Sequence, residues 1–509
     1  MCILGFAFLS CNKVNPDTPP EEEEEIPDVP QDKEDEPYID PSWPDIIRKI
    51  AEIPQVVDTS ICAFSDYYVK QGAFDCGYYF DFVQPLDHFD QSVTYNLPQR
   101  IYLHYVSPDA PVILYTTGYD AYGDYVPDLS WRIKANVIEF EYRYFATSIP
   151  DGMYPDVKWT YLDSRQASAD MHAIYEAFKP LFPNKWIASG VSKGGTTAAL
   201  YAKFYPDDMD LYLPFCAPFF RSIKDPNVGE WITNGIATPE IREKIVKFTK
   251  MVLHRQNEIL ESVGYDEDNP WFEDVRDYLR LDVLGAVTTK MAYDFSTAWI
   301  GDLPDEDTPA KDVYYFIYPE NASEAAFSAF PASEASGNQP VIGDGNTRRN
   351  MNRSMLVRAR DRMIRTKSDE GIYSDNPYYP QALKELGYFK YDLTPYAEEV
   401  AAGLISEKNA DHYNFIGTEA ERQAITFSDE LMTGFLDDFL PQTKSNMLFM
   451  YGQNDFWTGG GISQELADKN SNITRFIIND GIHADYYTYY PSAEMTRIEN
   501  AILNALGWL

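Results

Sequence analysis

The chain has 509 residues, enough for one large domain with an insertion or for two or three ordinary ones. With 44% hydrophobic and 15% aromatic residues it can fill a globular core, which excludes a disordered chain as a whole. Its formal net charge of −38 repels phosphate backbones and excludes nucleic acid as an expected partner. The charge fits an exported protein kept soluble by repulsion; attraction of cationic substrates is the alternative.

The N-terminus predicts an export signal over residues 1–11. An apolar run closes at Leu9-Ser10-Cys11 and is too short to span a bilayer. It resembles a bacterial lipoprotein signal, which implies lipidation at Cys11. The alternative is a chance match, since the basic residues that usually open such a signal do not occur here. We therefore expect a lipid-anchored protein outside the cytoplasm, on an outer membrane or cell surface.

Residues 12–41 read as a flexible tether. This Pro-rich segment holds twelve acidic residues against Lys13 and Lys33. Like charges repel each other and the segment has little apolar area to bury, so it stays extended between the anchor and a folded domain.

Three cysteines remain once Cys2 falls within the signal and Cys11 carries lipid. A disulfide between Cys62 and Cys76 is predicted because the compartment is oxidising. Cys216 lies in an apolar run and is expected to be a buried small hydrophobe. No C-x-x-C pair or His cluster has metal-ligand spacing, so we predict neither a metal nor a cofactor.

From about Tyr78 onward, apolar runs alternate with amphipathic stretches, which is typical of βα units around a mainly parallel sheet. The predicted first part of this core is 42–220. A helix is predicted over Ser164–Lys179, with Asp170 and His172 as surface or packing residues rather than catalytic groups. The predicted strands are Arg100–Val106, Pro111–Thr116, Ala135–Tyr142, Trp186–Gly190, Leu211–Phe215, Asn446–Tyr451 and Thr474–Ile478.

Residues 186–195 predict a nucleophilic serine. An apolar strand runs into Gly190-Val191-Ser192-Lys193-Gly194, and a helix-forming stretch follows at once. In such a strand–turn–helix elbow, small residues on either side of the serine allow close chain approach. A G-x-S-x-G motif alone occurs by chance in many proteins, but this context indicates the α/β-hydrolase fold.

Backbone N–H groups near Ser192 are candidate donors to the oxyanion. The helix N-terminus favours negative charge there, so Lys193 is predicted to act through its own N–H, with its side chain in solvent. A second donor is expected from the loop after the strand Pro111–Thr116, at Gly118 or Tyr119; an ordinary turn is the alternative.

The acid and the base should follow the serine in the order Ser, acid, His. Asp455 follows the strand Asn446–Tyr451, and His483 follows the next strand. Loops after strand ends place such groups on one edge of a sheet. Of the six histidines, His412 is the runner-up for the base, but it precedes Asp455.

Residues 221–442 interrupt the strand pattern and are mostly helical, which predicts a large cap inserted between 42–220 and a second core part at 443–509. The clearest amphipathic stretches are Pro239–Val263, Asn269–Ala292 and Asp429–Leu440. Trp231, Trp271 and Trp299 are expected in its core. Such a cap would cover the site and limit entry to it.

Blocks in chain order resemble the Pro-Xaa carboxypeptidase and dipeptidyl peptidase group of serine peptidases. They are Phe82–Phe89 with Gln99-Arg100, Glu141–Phe145 with Ser148 and Pro150, Tyr161-Leu162 with Gln166-Ala167 and Asp170, and Gly452–Asp455 with Trp457 and Gly459-Gly460. Lys193-Gly194-Gly195 is closer to the bacterial secreted tripeptidyl aminopeptidases of serine peptidase family 37. Three positions depart from the usual pattern and put substrate preference in doubt: Tyr142, Ala146 and Phe456.

This resemblance implies a triad of Ser192, Asp455 and His483 and an exopeptidase that releases short peptides, tripeptides in the first place, from N-termini. Glu141 is a weak candidate for binding the substrate ammonium, since pairing with Arg143 or another basic group is the favoured alternative, and Trp457 is a second candidate contact. Two other functions stay open: an esterase with the same triad, and a surface binding protein without catalysis. Peptide substrates are the expected partners; the oligomeric state is not predicted.

Overall fold

The computed structural model describes residues 39–150, 159–294, 297–319, 377–416, 419–484 and 492–508. The predicted signal, the anchor at Cys11 and nearly all of the tether lie outside these ranges. Within them, no helix has both the length and the apolar character that a membrane crossing requires.

One mixed sheet of nine strands forms the centre of the described structure, in the order β1-β2-β3-β5-β4-β6-β7-β8-β9. The first three pairings, through β3 with β5, are antiparallel, and the remaining pairings are parallel. The strands are β1 (Cys62–Phe64), β2 (Cys76–Pro85), β3 (Asn96–Tyr105), β4 (Val112–Thr116), β5 (Asn136–Phe140), β6 (Trp186–Val191), β7 (Leu211–Phe215), β8 (Met447–Gly452) and β9 (Ile473–Ile478).

The central strands are continuous apolar runs because helices cover both faces of the sheet. Every residue of β4, β5, β7 and β8 is buried. Side chains alternate between two core clusters: Val112 and Leu114 point to one, Ile113 and Tyr115 to the other. The strand β2, next to the short edge strand β1, instead alternates buried and half-buried residues along much of its length.

Among the described residues, five helices precede β7: α1 (Asp45–Ala51), α2 (Tyr67–Lys70), α3 (Asp128–Ile133), α4 (Ser164–Phe178) and α5 (Lys193–Phe204). The α4 helix begins where Asp163 accepts a hydrogen bond from the Gln166 N–H, as an N-cap aspartate does. Its apolar side chains Met171, Ile174 and Phe178 join the core cluster on one face of the sheet.

Between β7 and β8 the described residues form helices, turns and isolated bridges around a separate apolar core. Trp299 is buried in it, whereas Trp271 is exposed. The helices are α6 (Asn227–Asn234), α7 (Pro239–Glu261), α8 (Phe272–Tyr293), α9 (Ala310–Ile317), α10 (Tyr378–Gln381), α11 (Ala397–Ala401), α12 (Glu407–Ala410), α13 (Glu419–Ala424) and α14 (Glu430–Thr433). Two π-helical turns, Ala382–Leu386 and Gly434–Phe439, follow α10 and α14. After β8, the part of the chain that the structure describes contains the helices α15 (Gln464–Ala467) and α16 (Ser492–Ala505).

These observations confirm the predicted fold class. The α/β-hydrolase fold is defined by three features found here: a serine between β6 and α5, a mainly parallel sheet whose first strands are antiparallel, and helices on both faces of the sheet. All seven predicted strands are present, with ends shifted by a few residues, and β1 and β2 are additional.

The predicted disulfide between Cys62 and Cys76 is wrong, because both residues are free thiols. In the pairing of β1 with β2, Cys62 lies opposite Tyr79, three positions along the strand from Cys76. Three strand residues span about 10 Å, whereas a disulfide needs Cα atoms within roughly 7 Å of each other.

Candidate active site

Ser192 lies at a strained turn between β6 and α5. Its backbone has φ 59° and ψ −124°, in a region that non-glycine residues rarely adopt. The Ser192 N–H donates to the Phe215 carbonyl oxygen at 2.9 Å, which ties the turn to the end of β7. A Cβ on Gly190 or Gly194 would lie 2.3 or 2.0 Å from the Thr116 carbonyl oxygen. Only glycine fits at these two positions, so the spacing seen in the sequence has a steric cause.

Asp455 and His483 form a buried pair, although 27 residues separate them in the sequence. The His483 Nδ1 lies 2.8 Å from Asp455 Oδ2. The other carboxylate oxygen accepts a hydrogen bond from the Trp457 N–H at 2.9 Å. Asp455 has no exposed surface, and the His483 N–H donates to the Ala292 carbonyl oxygen at 2.7 Å. Both carboxylate oxygens thus have hydrogen-bond partners, and the carboxylate orients the imidazole through its Nδ1.

Cys216, which follows β7, contacts the segment that carries His483. Its Sγ lies 3.7 Å from the Ile482 carbonyl oxygen and 3.9 Å from that of Ala484. Among the described residues no hydrogen bond joins Ser192 Oγ to His483 Nε2; in enzymes such contacts often tighten only when substrate binds. Cys216 is buried as expected, but it also groups with Asp455 and His483 as a set of metal-ligand types, which no sequence spacing indicated.

Thr117–Asp120, which we call the oxyanion loop, packs against the start of α5. Gly118 has φ 80°, and a Cβ there would lie 2.7 Å from the Gly194 nitrogen. The Gly118 N–H donates to Thr116 Oγ1 and the Tyr119 N–H to Thr117 Oγ1, both at 3.0 Å. Lys193 is the first residue of α5, so its own N–H has no acceptor within the helix. The structure thus brings both predicted sources of oxyanion donors together, with the loop N–H groups bonded to threonine hydroxyls.

The side chain of Lys193 is buried, so its predicted exposure to solvent was wrong. Its Nζ donates to the Gly118 carbonyl oxygen at 2.6 Å and lies 3.1 Å from the centroid of the Tyr142 ring. Burial lowers the pKa of Lys193 well below its ordinary value, and the charge of Glu385 partly opposes that shift.

The two weaker site candidates have different surroundings. Glu141 Oε2 accepts four hydrogen bonds, from the N–H and hydroxyl groups of Thr147 and Ser148. Burial raises the pKa of Glu141, and these hydrogen bonds oppose the shift. Arg143 pairs with Asp170 at 2.8 Å through two nitrogens, so Arg143, one of the alternative partners considered for Glu141, is not paired with it. Trp457 lies with its ring centroid 6.2 Å from that of His483.

His412, the runner-up for the base, packs among the rings of Tyr388, Phe389 and Tyr391. Burial lowers its pKa to about 3, with an opposing hydrogen bond to the Phe389 backbone. Its protonated form is therefore strongly disfavoured at neutral pH, as expected for a packing residue.

Sequence reasoning missed Tyr293, the last residue of α8. Its ring centroid lies 5.3 Å from that of His483, with the rings edge to face. Burial, and next the charge of Asp455, raise the pKa of Tyr293. Nothing in the amphipathic pattern of α8 distinguishes this tyrosine, because its neighbour His483 belongs to a distant part of the chain.

Residues 57–319 match the family model described as PS-10 peptidase S37. The prolyl tri/tetrapeptidyl aminopeptidase of Streptomyces mobaraensis is 25% identical over 438 residues, which are 83% of this chain and 79% of that protein. Among solved structures, the proline iminopeptidase of Mycobacterium smegmatis is similar with 10% identity and a TM-score of 0.40, covering 84% of this chain and 98% of that one. A 2-hydroxy-6-oxo-6-phenylhexa-2,4-dienoate hydrolase of a Rhodococcus strain has 10% identity and a TM-score of 0.32, with the same two coverages.

Proposed function

This chain belongs to the S37 family of serine peptidases, and from that membership we propose that it is an exopeptidase acting through an acyl-enzyme on Ser192. It releases short peptides, tripeptides in the first place, from the N-termini of peptide substrates. The observation that carries the proposal is the buried Asp455–His483 pair, which the fold sets at the same edge of the sheet as the strained Ser192.

In this mechanism each residue has a separate task. His483 takes the Ser192 proton as Oγ attacks the carbonyl carbon, and later gives it to the leaving amine. Asp455 accepts from Nδ1, which fixes the tautomer and stabilises the imidazolium. The Lys193 N–H and the oxyanion loop stabilise the charged intermediate, and water then releases the acyl group. Each oxyanion donor contributes about 10²–10³-fold in kcat in comparable enzymes.

The helices between β7 and β8 and the Streptomyces relative support a proposal for substrate length and preference. The end of α8 supplies Ala292 and Tyr293 to the surroundings of His483, which supports access for chain ends rather than for the middle of a chain. The relative is named for tri- and tetrapeptides and for proline. We extend both properties to this chain, with Trp457 and Glu141 as proposed substrate contacts. A buried substrate ammonium needs a carboxylate partner, because its desolvation costs several kcal/mol.

A panel of chromogenic substrates tests this function. We expect the enzyme to cleave free-amine tripeptidyl amides ending in proline faster than dipeptidyl or N-blocked amides, and to cleave simple aryl esters slowly. The Ser192→Ala variant should fold normally and lose all these activities, since the nucleophile is gone. Initial rates and circular dichroism on both proteins give the result.

Other outcomes on this panel point to the rival functions. Cleavage of esters without cleavage of free-amine peptides would indicate an esterase. No turnover of any substrate by the unmodified protein would favour a binding protein. Full activity in Ser192→Ala would reject the nucleophile.

A further inference from the structure

The Lys193 ammonium is an unusual buried charge. No carboxylate among the described residues forms an ion pair with it, and it donates a hydrogen bond to the Gly118 carbonyl oxygen. A buried ammonium without an ion-pair partner is costly, so a position that keeps it invites a functional explanation.

The acceptor belongs to the oxyanion loop. The Gly118 carbonyl and the Tyr119 N–H belong to one planar peptide unit, so the hydrogen bond to the oxygen also fixes the direction of the N–H. Gly118 is itself wedged against this residue, since a Cβ there would lie 2.9 Å from Lys193 Cγ. The side chain and backbone at position 193 together set where the loop lies.

Burial disfavours the protonated form of Lys193, which lowers its pKa, and aromatic rings in place of a carboxylate act against that effect. Lys193 Nζ lies 3.1 Å from the ring centroid of Tyr142, and the rings of Phe145 and Tyr119 are at 5.3 and 5.4 Å. Such contacts gain strength when water is excluded. The Tyr142 N–H also donates to the Tyr119 carbonyl oxygen at 2.9 Å, which joins this ring group to the loop.

A second layer fixes Tyr142 from the far side. Its hydroxyl accepts a hydrogen bond from Gln381 Nε2 at 3.0 Å, and the same nitrogen donates to Glu385 Oε1 at 3.0 Å. Glu385 Oε1 also accepts from the N–H and hydroxyl of Ser164, at the start of α4. The ring that faces Lys193 is therefore held by residues from three separate elements.

We propose that the Lys193 side chain is a positioning residue that clamps the oxyanion loop to the N-terminus of α5. Position 193 then serves the oxyanion twice: its N–H donates directly, and its ammonium sets the loop that supplies the second donor. The inference rests on the proposed acyl-enzyme function. Lys193 is outside the triad, so loss of its side chain should reduce the stabilisation of the transition state and leave ground-state binding of the peptide nearly intact.

Lys193→Met, which keeps the stem and removes the charge, tests the proposal. We expect kcat to fall about 10²-fold, as for the loss of one oxyanion donor, with KM changed less than about threefold. The inhibition constant of a peptidyl trifluoromethyl ketone, whose adduct carries the oxyanion, should rise by a similar factor. Product inhibition by the released tripeptide should stay unchanged.

Lys179→Met is the matched control. The Lys179 Nζ also donates to a backbone carbonyl, that of Asn184 at 2.9 Å, and lies 5.6 Å from a tyrosine ring. It is remote from the triad in the fold, at the end of α4, so kcat and both inhibition constants should match those of the unmodified enzyme.

If Lys193→Met does not fold, Tyr142→Leu and Tyr142→Phe decide the question. Leucine removes the ring that stabilises the ammonium and should lower kcat about tenfold, whereas phenylalanine keeps the ring and should lower it less. Unchanged kcat in Lys193→Met or in Tyr142→Leu, or equal losses in ketone and product affinity, would overturn the inference. In each case an inactive Ser192→Ala variant would leave the proposed function standing.

Discussion

Glu139 is a carboxyl group that the fold buries within β5. Its Oε2 accepts a hydrogen bond from the Gly123 N–H at 3.0 Å, and its Oε1 has no partner among the described residues. Burial raises the pKa of Glu139 to about 8, and the charges of Asp124 and Glu141 add to the shift. The protonated form is thus favoured in the folded state, beside the loop that continues from Asp120.

This group predicts a pH-dependent stability with a definite sign. Its pKa is about 8 when folded against a reference value of 4.5, so its stabilising effect is complete below pH 4.5 and is lost as the pH rises through 8. Relative to Glu139→Gln, the unfolding free energy of the unmodified protein should fall by up to about 1.4 kcal/mol per pH unit in that window. Urea unfolding at about pH 5, 6, 7 and 8 measures this dependence.

The surface residue Glu258 provides the control. It pairs with Arg255, which lowers its pKa. Above about pH 5, where Glu258 is mostly ionised in both states, the unfolding free energy of Glu258→Gln should therefore change with pH as that of the unmodified protein does. If the unfolding free energy of Glu139→Gln also shows the same pH dependence as that of the unmodified protein, Glu139 is ionised in the folded state and the prediction is wrong.

At the scale of elements, β4, β6 and α5 meet with almost no side chain between them. A Cβ on Gly195 would lie 2.6 Å from the Phe215 carbonyl oxygen, so β7 joins the same contact. This close approach places the oxyanion loop and the start of α5 side by side. The glycines of the elbow are therefore needed for the packing of the elements as well as for the turn.

Gly190→Ala should disturb this junction, because its Cβ would lie 2.3 Å from the backbone oxygen of Thr116. Backbone cannot move aside as a side chain can, so we expect a loss of about 1–3 kcal/mol in unfolding free energy and at least a tenfold loss in kcat. Thermal unfolding and initial rates give both values.

Gly301→Ala is the comparison, since a Cβ there meets nothing within 4 Å and the residue has no positive φ. It should leave stability and kcat close to those of the unmodified protein. Equal behaviour of the two variants would refute the close-packing argument.

At the scale of the whole molecule, the candidate site is assembled from parts that are far apart in the chain. Ser192 follows β6, whereas Asp455 and His483 come after the helices that separate β7 from β8. Those helices pack around their own apolar core and reach the site through the end of α8. The net charge of −38 is spread over a chain that we propose is exported and tethered.

The proposed anchor has its own test in a bacterial host that processes lipoproteins. Cys11→Ser should move the protein from the membrane fraction to the soluble fraction and abolish labelling by palmitate, since stable attachment depends on acyl chains. Cys2→Ser, within the predicted signal, should change neither. Membrane association of Cys11→Ser equal to that of the unmodified protein would reject lipidation at this residue.

Much of the fold could be predicted because its signals are local. The strands β3 to β9 are short apolar runs, and the elbow is marked by glycines within a few residues of Ser192. Asp455 and His483 were chosen by chain order and by their place after strands, and the structure puts their side chains 2.8 Å apart. The strands β1 and β2 were not predicted, because β1 has only three residues and because Asp81 and Gln84 interrupt the apolar run of β2.

The sequence by itself determined the fold class, the elbow and the pairing of acid with base, because periodicity, steric spacing and chain order are properties of short segments. The tertiary structure alone decided that Lys193 is buried beneath Tyr142, that Tyr293 lies against His483 and that Cys62 and Cys76 are apart. Each of these depends on strand register or on contacts between distant segments. Such contacts form only when the whole core packs, so no local pattern records them.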